Sequence, residues 1–204
     1  IFYWKAGNTQ KALKINPDWK VLDVGSGHQP NRRANVILDK YAGDTIHRTT
    51  AKLEIPTDKF FIMGDALAIP FKQKKFDVAI ASHIAEHIDD PIMFCNELQR
   101  ISKSGYIETP GPITEVLLPA NSHKWIVRKS GNGLVFNNNK YTKPFSPLFY
   151  SIFYLNREGY DFDTKKSDNK FLKFISWALN SIWKFIPYTY ARLFWKDKFE
   201  CKLK

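Results

Sequence analysis

VLDVGSGHQP, residues 21–30, decides how the chain is read. A short apolar run ends in Asp23, and Gly25 and Gly27 follow at once. Glycine lets a backbone turn tightly and pass close to a ligand, because no Cβ stands in the way. A loop that cradles a phosphate normally adds a third glycine and a long helix whose amides meet the anion. Here His28, Gln29 and Pro30 follow instead. The loop therefore suits a ligand that carries no phosphate.

Similar apolar runs recur downstream. Trp19–Val24, Val36–Asp39, Phe60–Met63, Phe76–Ala81 and Tyr106–Thr109 read as strands, short and without polar alternation, as strands buried on both faces do. Pro91–Ser102 fits an amphipathic helix with Pro91 in its first turn and Ile92, Phe94, Cys95, Leu98 and Ile101 near one face. Strands that alternate with crossovers predict an open α/β sheet. In such a sheet ligands sit at the carboxyl ends of the strands. Those ends carry Asp23 to Gly27, then Asp39, then Gly64, Asp65 and Ala66, then Ser82 and His83.

This arrangement resembles the class I S-adenosylmethionine-dependent methyltransferases, and most closely the type 11 branch. The resemblance runs from about Val21 to Pro112 and is carried by the glycine loop, by GDALAIPFKQKKFDVAIASHIAEHIDDP (64–91) and by ELQRISKSGYIETPGP (97–112). It implies an α/β fold: a Rossmann-like, open, mostly parallel sheet with helices on both faces, here joined by an aromatic and basic C-terminal helical extension. The expected division is a methyltransferase domain over 1–165 and the extension over 166–204. S-adenosylmethionine is the implied methyl donor. By the resemblance, Gly25, Ser26 and Gly27 pass under the cofactor's amino-acid part, with Asp23 near its ammonium. Asp39, with Lys40 beside it, would accept from the ribose hydroxyls, a task for an acceptor with two oxygens. Asp65 would read the adenine amine and Ala66 an adjacent ring nitrogen, next to Gly64, while Ser82 and His83 line the methyl-donor pocket. Taken singly, Asp23 could instead cap a turn, Asp39 could be a solvated strand end, and Asp65 could cap the turn after it.

The connection Gly25–Asn35 is short for a parallel crossover and leaves room for a helix of about two turns. The fifth strand is preceded by Ser102, Lys103, Ser104 and Gly105 rather than by the family's proline–diglycine turn. His83, His87 and His123 are the candidate acid–base residues, since imidazole titrates near neutrality. His83-Ile84-Ala85-Glu86-His87 also spells the H-x-x-E-H pattern of inverted zinc hydrolases. That pattern needs a helix to put both imidazoles on one face, and Pro91 follows too soon for a long one, so no metal ligands are expected. A zinc hydrolase and a non-catalytic binding protein of the same fold are the rival readings.

The 204 residues are 44% hydrophobic, 25% charged and 15% aromatic, ordinary for a globular chain except in the aromatics. Charge is uneven: residues 1–110 hold 15 Lys and Arg against 13 Asp and Glu, and the remainder 16 against 7. The basic second half implies an anionic partner. Cys95 and Cys201 form no disulfide framework or metal spacing, which points to a reducing, cytoplasmic setting. The chain opens on Ile1 rather than Met, and the first ten residues are too short and polar for a signal peptide.

Ser122–Lys140 predicts a hairpin around Asn132-Gly133, either closing the sheet or covering the substrate. Pro147–Arg157 reads as an aromatic helix. Residues 171–195 mix aromatics with lysines, break at Pro187, and lack the apolar length of a membrane span. They suit a peripheral contact with an anionic membrane, or else packing on the domain or against a second copy. No RNA-binding module is recognisable, so nucleic acid is not an expected partner. The expected activity is methyl transfer to a small-molecule acceptor, anionic or of lipid or sugar type.

Overall fold

All but one of the unalternated apolar runs become buried parallel strands, because a strand covered on both faces has no side to spare for water. The computed structural model describes residues 15–27, 30–41, 56–117, 120–139 and 189–204. Its strands are β1 (Val21–Val24), β2 (Val36–Asp39), β3 (Phe60–Met63), β4 (Phe76–Ser82), β5 (Ser102–Pro110), β6 (Trp125–Lys129), β7 (Gly133–Asn138), β8 (Tyr190–Lys196) and β9 (Glu200–Leu203). Its helices are α1 (Pro91–Ile101) and α2 (Pro112–Leu117).

The main sheet has the order β3-β2-β1-β4-β5-β8. Its first five strands run parallel, and β8 lies antiparallel against β5. Central β1 is buried throughout, with Leu22 opposite both Val36 and Ala79. From β1 the chain builds outward to β2 and β3, then returns to add β4 and β5 on the other side. Connections on the two sides diverge between β1 and β4, and a crevice opens there at the carboxyl ends. This is the Rossmann-like sheet that the sequence implies.

One face packs Leu22, Val24, Leu38, Ala79, Ala81 and Ile107 with Phe94, Cys95, Leu98 and Ile101 of α1. Val21, Val78, Ile80 and Tyr106 form the core of the other face. Burying each large aliphatic side chain stabilises the fold by about 1.5–3 kcal/mol. Helix α1 starts where the sequence says it must. Asp90 has extended backbone, and its side chain accepts the Met93 N–H at 2.9 Å as an N-cap; Pro91 takes the first helical position. The buried stripe includes Pro91 itself, whereas Ile92 is only half-buried.

Several expectations are revised. β3 is not a doubly buried strand: it is a sheet edge with Phe60 75% and Met63 68% exposed. No helix lies in the described part of the β1–β2 connection, residues 25–27 and 30–35, and His28 and Gln29 fall outside the described residues. The 122–140 hairpin forms as β6 and β7 but does not close the main sheet. It pairs with β9 as a separate sheet of order β6-β7-β9. Strand β8 is the antiparallel partner of β5 instead.

The helical extension over 166–204 is likewise corrected where it is described. Residues 190–196 and 200–203 are strands that belong to the two sheets. Along β8, Ala191, Leu193 and Trp195 turn inward at period two and are buried, so they offer nothing to a membrane surface. Residues 171–188 and the expected helix at 147–157 lie outside the described residues. Among the described residues no helix is long and apolar enough to cross a membrane.

Candidate functional site

The two glycines that open the sequence take left-handed backbone, with φ of +66° at Gly25 and +57° at Gly27. L-residues adopt that region at a cost, which glycine avoids. A Cβ on Gly25 would also sit 2.3 Å from the Ile84 side chain, so the loop after β1 packs directly on the loop after β4. A Cβ on Gly27 would point into open space. Carboxylates at the ends of two neighbouring strands hold the loop. The Asn31 N–H donates to Asp23 Oδ2 at 2.7 Å, and the Gly27 N–H donates to Asp39 Oδ2 at 3.1 Å. The other Asp39 oxygen accepts the Tyr41 N–H at 3.1 Å.

These turns surround a cleft of about 280 Å³ at the β1/β4 divergence. That is near the lower end for small-molecule sites. Gly25, Gly27, Asp39, Lys40, Gly64, Asp65, Ala66, His83 and His87 all line it. Asp23, Ser26 and Ser82 do not. Asp23 lies beneath the loop, 3% exposed, as its turn-capping reading allows. Burial, reinforced by the nearby Asp39 charge and opposed by the Asn31 N–H, raises its pKa to about 7. Asp65 accepts the Leu67 N–H at Oδ1 (2.9 Å) and pairs with Lys40 at Oδ2 (2.9 Å). Those two bonds hold its carboxyl below the usual range.

The inner end of the cleft holds a buried polar network. His83, at the end of β4, is a non-glycine residue with φ +56°, fixed by its N–H on the Glu108 carbonyl at 2.8 Å. A left-handed non-glycine residue costs of order 1–3 kcal/mol and persists where its surroundings over-determine it. Its ring lies between two carboxylates, Nδ1 3.5 Å from Glu86 and Nε2 3.6 Å from Glu108. Burial disfavours the imidazolium, but Glu108 and Glu86 outweigh it and raise the pKa to about 10. Reciprocally, Glu86 falls to about 2 despite its burial, held by His83, His87 and His123. Glu108 is also lowered against its burial, by His83, Tyr106 and Arg192, and Arg192 Nε lies 2.6 Å from its Oε2.

His123 reaches this network from the entrance of β6. The Lys124 and Trp125 N–H groups donate to the Glu86 carbonyl, at 2.8 and 3.2 Å, which ties the hairpin to the loop after β4. His123 Nδ1 lies 2.5 Å from Glu115 Oε1 of α2. Its ring meets that of His87 edge-on, with centroids 4.7 Å apart. All three candidate histidines thus converge, although only His83 and His87 line the cleft. The residues 83–87 form turns rather than a helix, so the H-x-x-E-H pattern does not present both imidazoles on one helical face.

Sequence reasoning missed Glu108, Glu115 and Arg192. An acid inside the apolar run YIET was the one visible signal, since a buried carboxylate needs a partner. Nothing local marks Arg192 as that partner.

Residues 22–107 match a family described as "Methyltransferase domain". Over 51 residues the chain is 31% identical to an uncharacterized methyltransferase of Mycobacterium leprae, a stretch covering 25% of this chain and 19% of that one. The match thus spans about a fifth of that relative's length. Among solved structures, the YcgJ protein of Bacillus subtilis is similar with a TM-score of 0.42 and 18% identity, over 52% of this chain and 50% of that one. A SAM-dependent methyltransferase of Aquifex aeolicus is similar with a TM-score of 0.39 and 15% identity, over 53% and 65%.

Proposed function

From the match of residues 22–107 to a methyltransferase-domain family, we propose that the chain transfers a methyl group from S-adenosylmethionine to a small-molecule acceptor. One observation carries the reading. Gly25, Gly27, Asp39, Asp65 and His83, from four separate strand ends, line a single cleft. The residues suit a nucleoside that carries no phosphate. Gly27 leaves open space beside it, Asp39 is a buried carboxylate at the end of β2, and no long helix follows the glycine loop among its described residues. Asp39 would hold the ribose, Asp65 the adenine amine with the Ala66 N–H beside it, and Gly25 and Gly27 the amino-acid end.

The sulfonium supplies an already activated methyl group, so the protein's task is alignment more than activation. An acceptor would enter beside His83, His87, Ser122 and Lys124, which line the cleft. The excess of Lys and Arg beyond residue 110, 16 against 7 Asp and Glu, favours an anionic acceptor such as a phosphorylated or lipid-linked sugar.

Calorimetry with S-adenosylhomocysteine tests the cofactor assignment. Saturable binding is expected, and Asp39→Ala should abolish it. Absence of binding at millimolar ligand would leave a methyltransferase fold used for something else.

A further inference from the structure

Glu86, His87 and His123 each offer a ligand atom, and the three atoms lie within 4.8 Å of one another. We propose that these side chains form a site for a divalent transition-metal ion, zinc or its close relatives cobalt(II) and iron(II), beside the cleft.

The first observation is a buried carboxylate oxygen that no described group hydrogen-bonds. Glu86 is fully buried, and among the described residues its Oε1 accepts no hydrogen bond. The His83 ring offsets its charge from 3.5 Å without hydrogen-bonding it, which leaves the oxygen able to bind a metal ion directly. Oε1 lies 4.0 Å from His87 Nε2, on the side where the histidines gather. The other oxygen is already fixed, accepting from Thr109 Oγ1 at 2.8 Å, so the carboxylate is oriented before any ion arrives.

The second observation is what stands behind each imidazole. A metal-bound histidine usually passes its other N–H to a carboxylate or a backbone carbonyl, which sets the tautomer and the ring plane. Both arrangements are present. His87 Nδ1 lies 3.1 Å from the Ser122 carbonyl, and His123 Nδ1 lies 2.5 Å from Glu115 Oε1. With the Nδ1 protons so placed, Nε2 of each ring is the ligand nitrogen. Glu115 is itself buried, and Asn139 Nδ2 donates to its Oε2 at 3.4 Å. His83 is outside the set. Its ring lies between Glu86 and Glu108, which separates this site from the H-x-x-E-H helix of zinc hydrolases.

Ligands about 2.0–2.1 Å from a tetrahedral zinc ion stand about 3.3 Å from each other. The observed spacing is wider, up to 4.8 Å, so binding requires the three side chains to draw together. Two imidazoles and one carboxylate favour zinc, iron or cobalt over calcium or magnesium, which prefer all-oxygen shells. Three protein ligands also leave a fourth position, as in catalytic rather than structural zinc sites. Of the three, His87 lines the cleft beside Ser122 and Lys124, so that position would be reached from the cleft. An acceptor oxygen could bind there, but the ion's binding does not depend on methyl transfer.

The test uses the whole chain, stripped with chelator and titrated with cobalt(II) or zinc(II). Bound metal is measured by equilibrium dialysis with elemental analysis, and cobalt also by its visible absorption. One ion per chain is expected. His87→Ala and His123→Ala should each weaken binding at least about a hundredfold. Glu115→Gln, which acts through His123, should weaken it about 10–100-fold while keeping the stoichiometry. Near-ultraviolet circular dichroism checks that each variant is folded, and His87, about a third exposed, is the substitution least disturbing to the core. No saturable binding at millimolar metal would overturn the site. So would one tight ion retained in the folded His87→Ala/His123→Ala double variant, because the ligands would then lie elsewhere, Cys95 and Cys201 included.

Discussion

Lys40 and Asp65 form an ion pair at the cleft, Nζ to Oδ2 at 2.9 Å, which joins the chain just after β2 to the chain just after β3. Their side chains are 55% and 40% exposed. An exposed pair of this kind contributes about 1 kcal/mol or less. Lys40→Ala should therefore hardly move the denaturation midpoint. Asp65→Ala should weaken S-adenosylhomocysteine at least about tenfold, since a lost charge-assisted hydrogen bond is worth about 1.5–3 kcal/mol. Calorimetry on both variants checks this; unchanged affinity in Asp65→Ala would remove Asp65 from the cofactor's contacts.

Asp23 makes stability depend on pH. In the unfolded chain it ionises near 3.8, and burial raises that to about 7 in the fold. Between those values the folded protein keeps a proton that the unfolded chain has released. The stabilisation is complete below the lower value and is lost as pH rises through the upper one. At about 1.4 kcal/mol per pK unit, the contribution is at most roughly 4 kcal/mol. Asn at this position can still accept the Asn31 N–H. Urea unfolding from pH 4 to 8 should therefore show wild-type stability falling relative to Asp23→Asn. Parallel curves for the two proteins would contradict the prediction.

Gly105 allows β4, β5 and β8 to close up. A Cβ there would lie 2.4 Å from the Ala79 carbonyl oxygen and 2.7 Å from the Trp195 ring. Backbone cannot yield as a flexible side chain can. Gly105→Ala should cost about 1–3 kcal/mol or more by overpacking. Gly131→Ala, at a hairpin turn with nothing near its Cβ position, tests backbone strain without crowding, from its φ of +56°. Chemical denaturation should rank Gly105→Ala as clearly the worse.

Arg192 on β8 answers Glu108 on the neighbouring β5, Nε to Oε2 at 2.6 Å, with Glu108 only 1% exposed. Removing one member of a buried pair costs about 3–5 kcal/mol, while replacing both with apolar groups costs far less. Arg192→Leu should be strongly destabilised, and adding Glu108→Leu should restore much of the loss. A double variant no better than the single would mean that Glu108 is held chiefly by Tyr106 and His83. Deleting residues 189–204 should prevent cooperative unfolding altogether, because Leu193 and Trp195 are core residues.

Much of the fold could be read locally. Val36–Asp39 and Phe60–Met63 are strands at the residues expected, and Asp90-Pro91 starts α1 as a cap and a first-turn proline should. The C-terminal strands were harder. Tyr190–Lys196 is aromatic on both faces, with Phe194 stacking on Tyr106 from the side opposite Leu193 and Trp195. The period-two signal is therefore masked by apolar residues at the outward positions. β3 misled in the opposite sense, since an edge strand can carry the same apolar run as a central one.

What the sequence determined by itself is whatever neighbours along the chain impose: the left-handed glycine turn, the buried strands, the cap of α1, and the acids at successive strand ends. Those features rest on backbone conformation and on burial periodicity, which a few adjacent residues set. The tertiary structure alone decided that Asp23 lies under the glycine loop and that β8 completes the sheet. It also brought Glu86, Thr109, Glu115 and His123 into one buried network. Such contacts join residues from separate strands, helices and loops. A buried carboxylate requires some partner, but chain topology chooses which one.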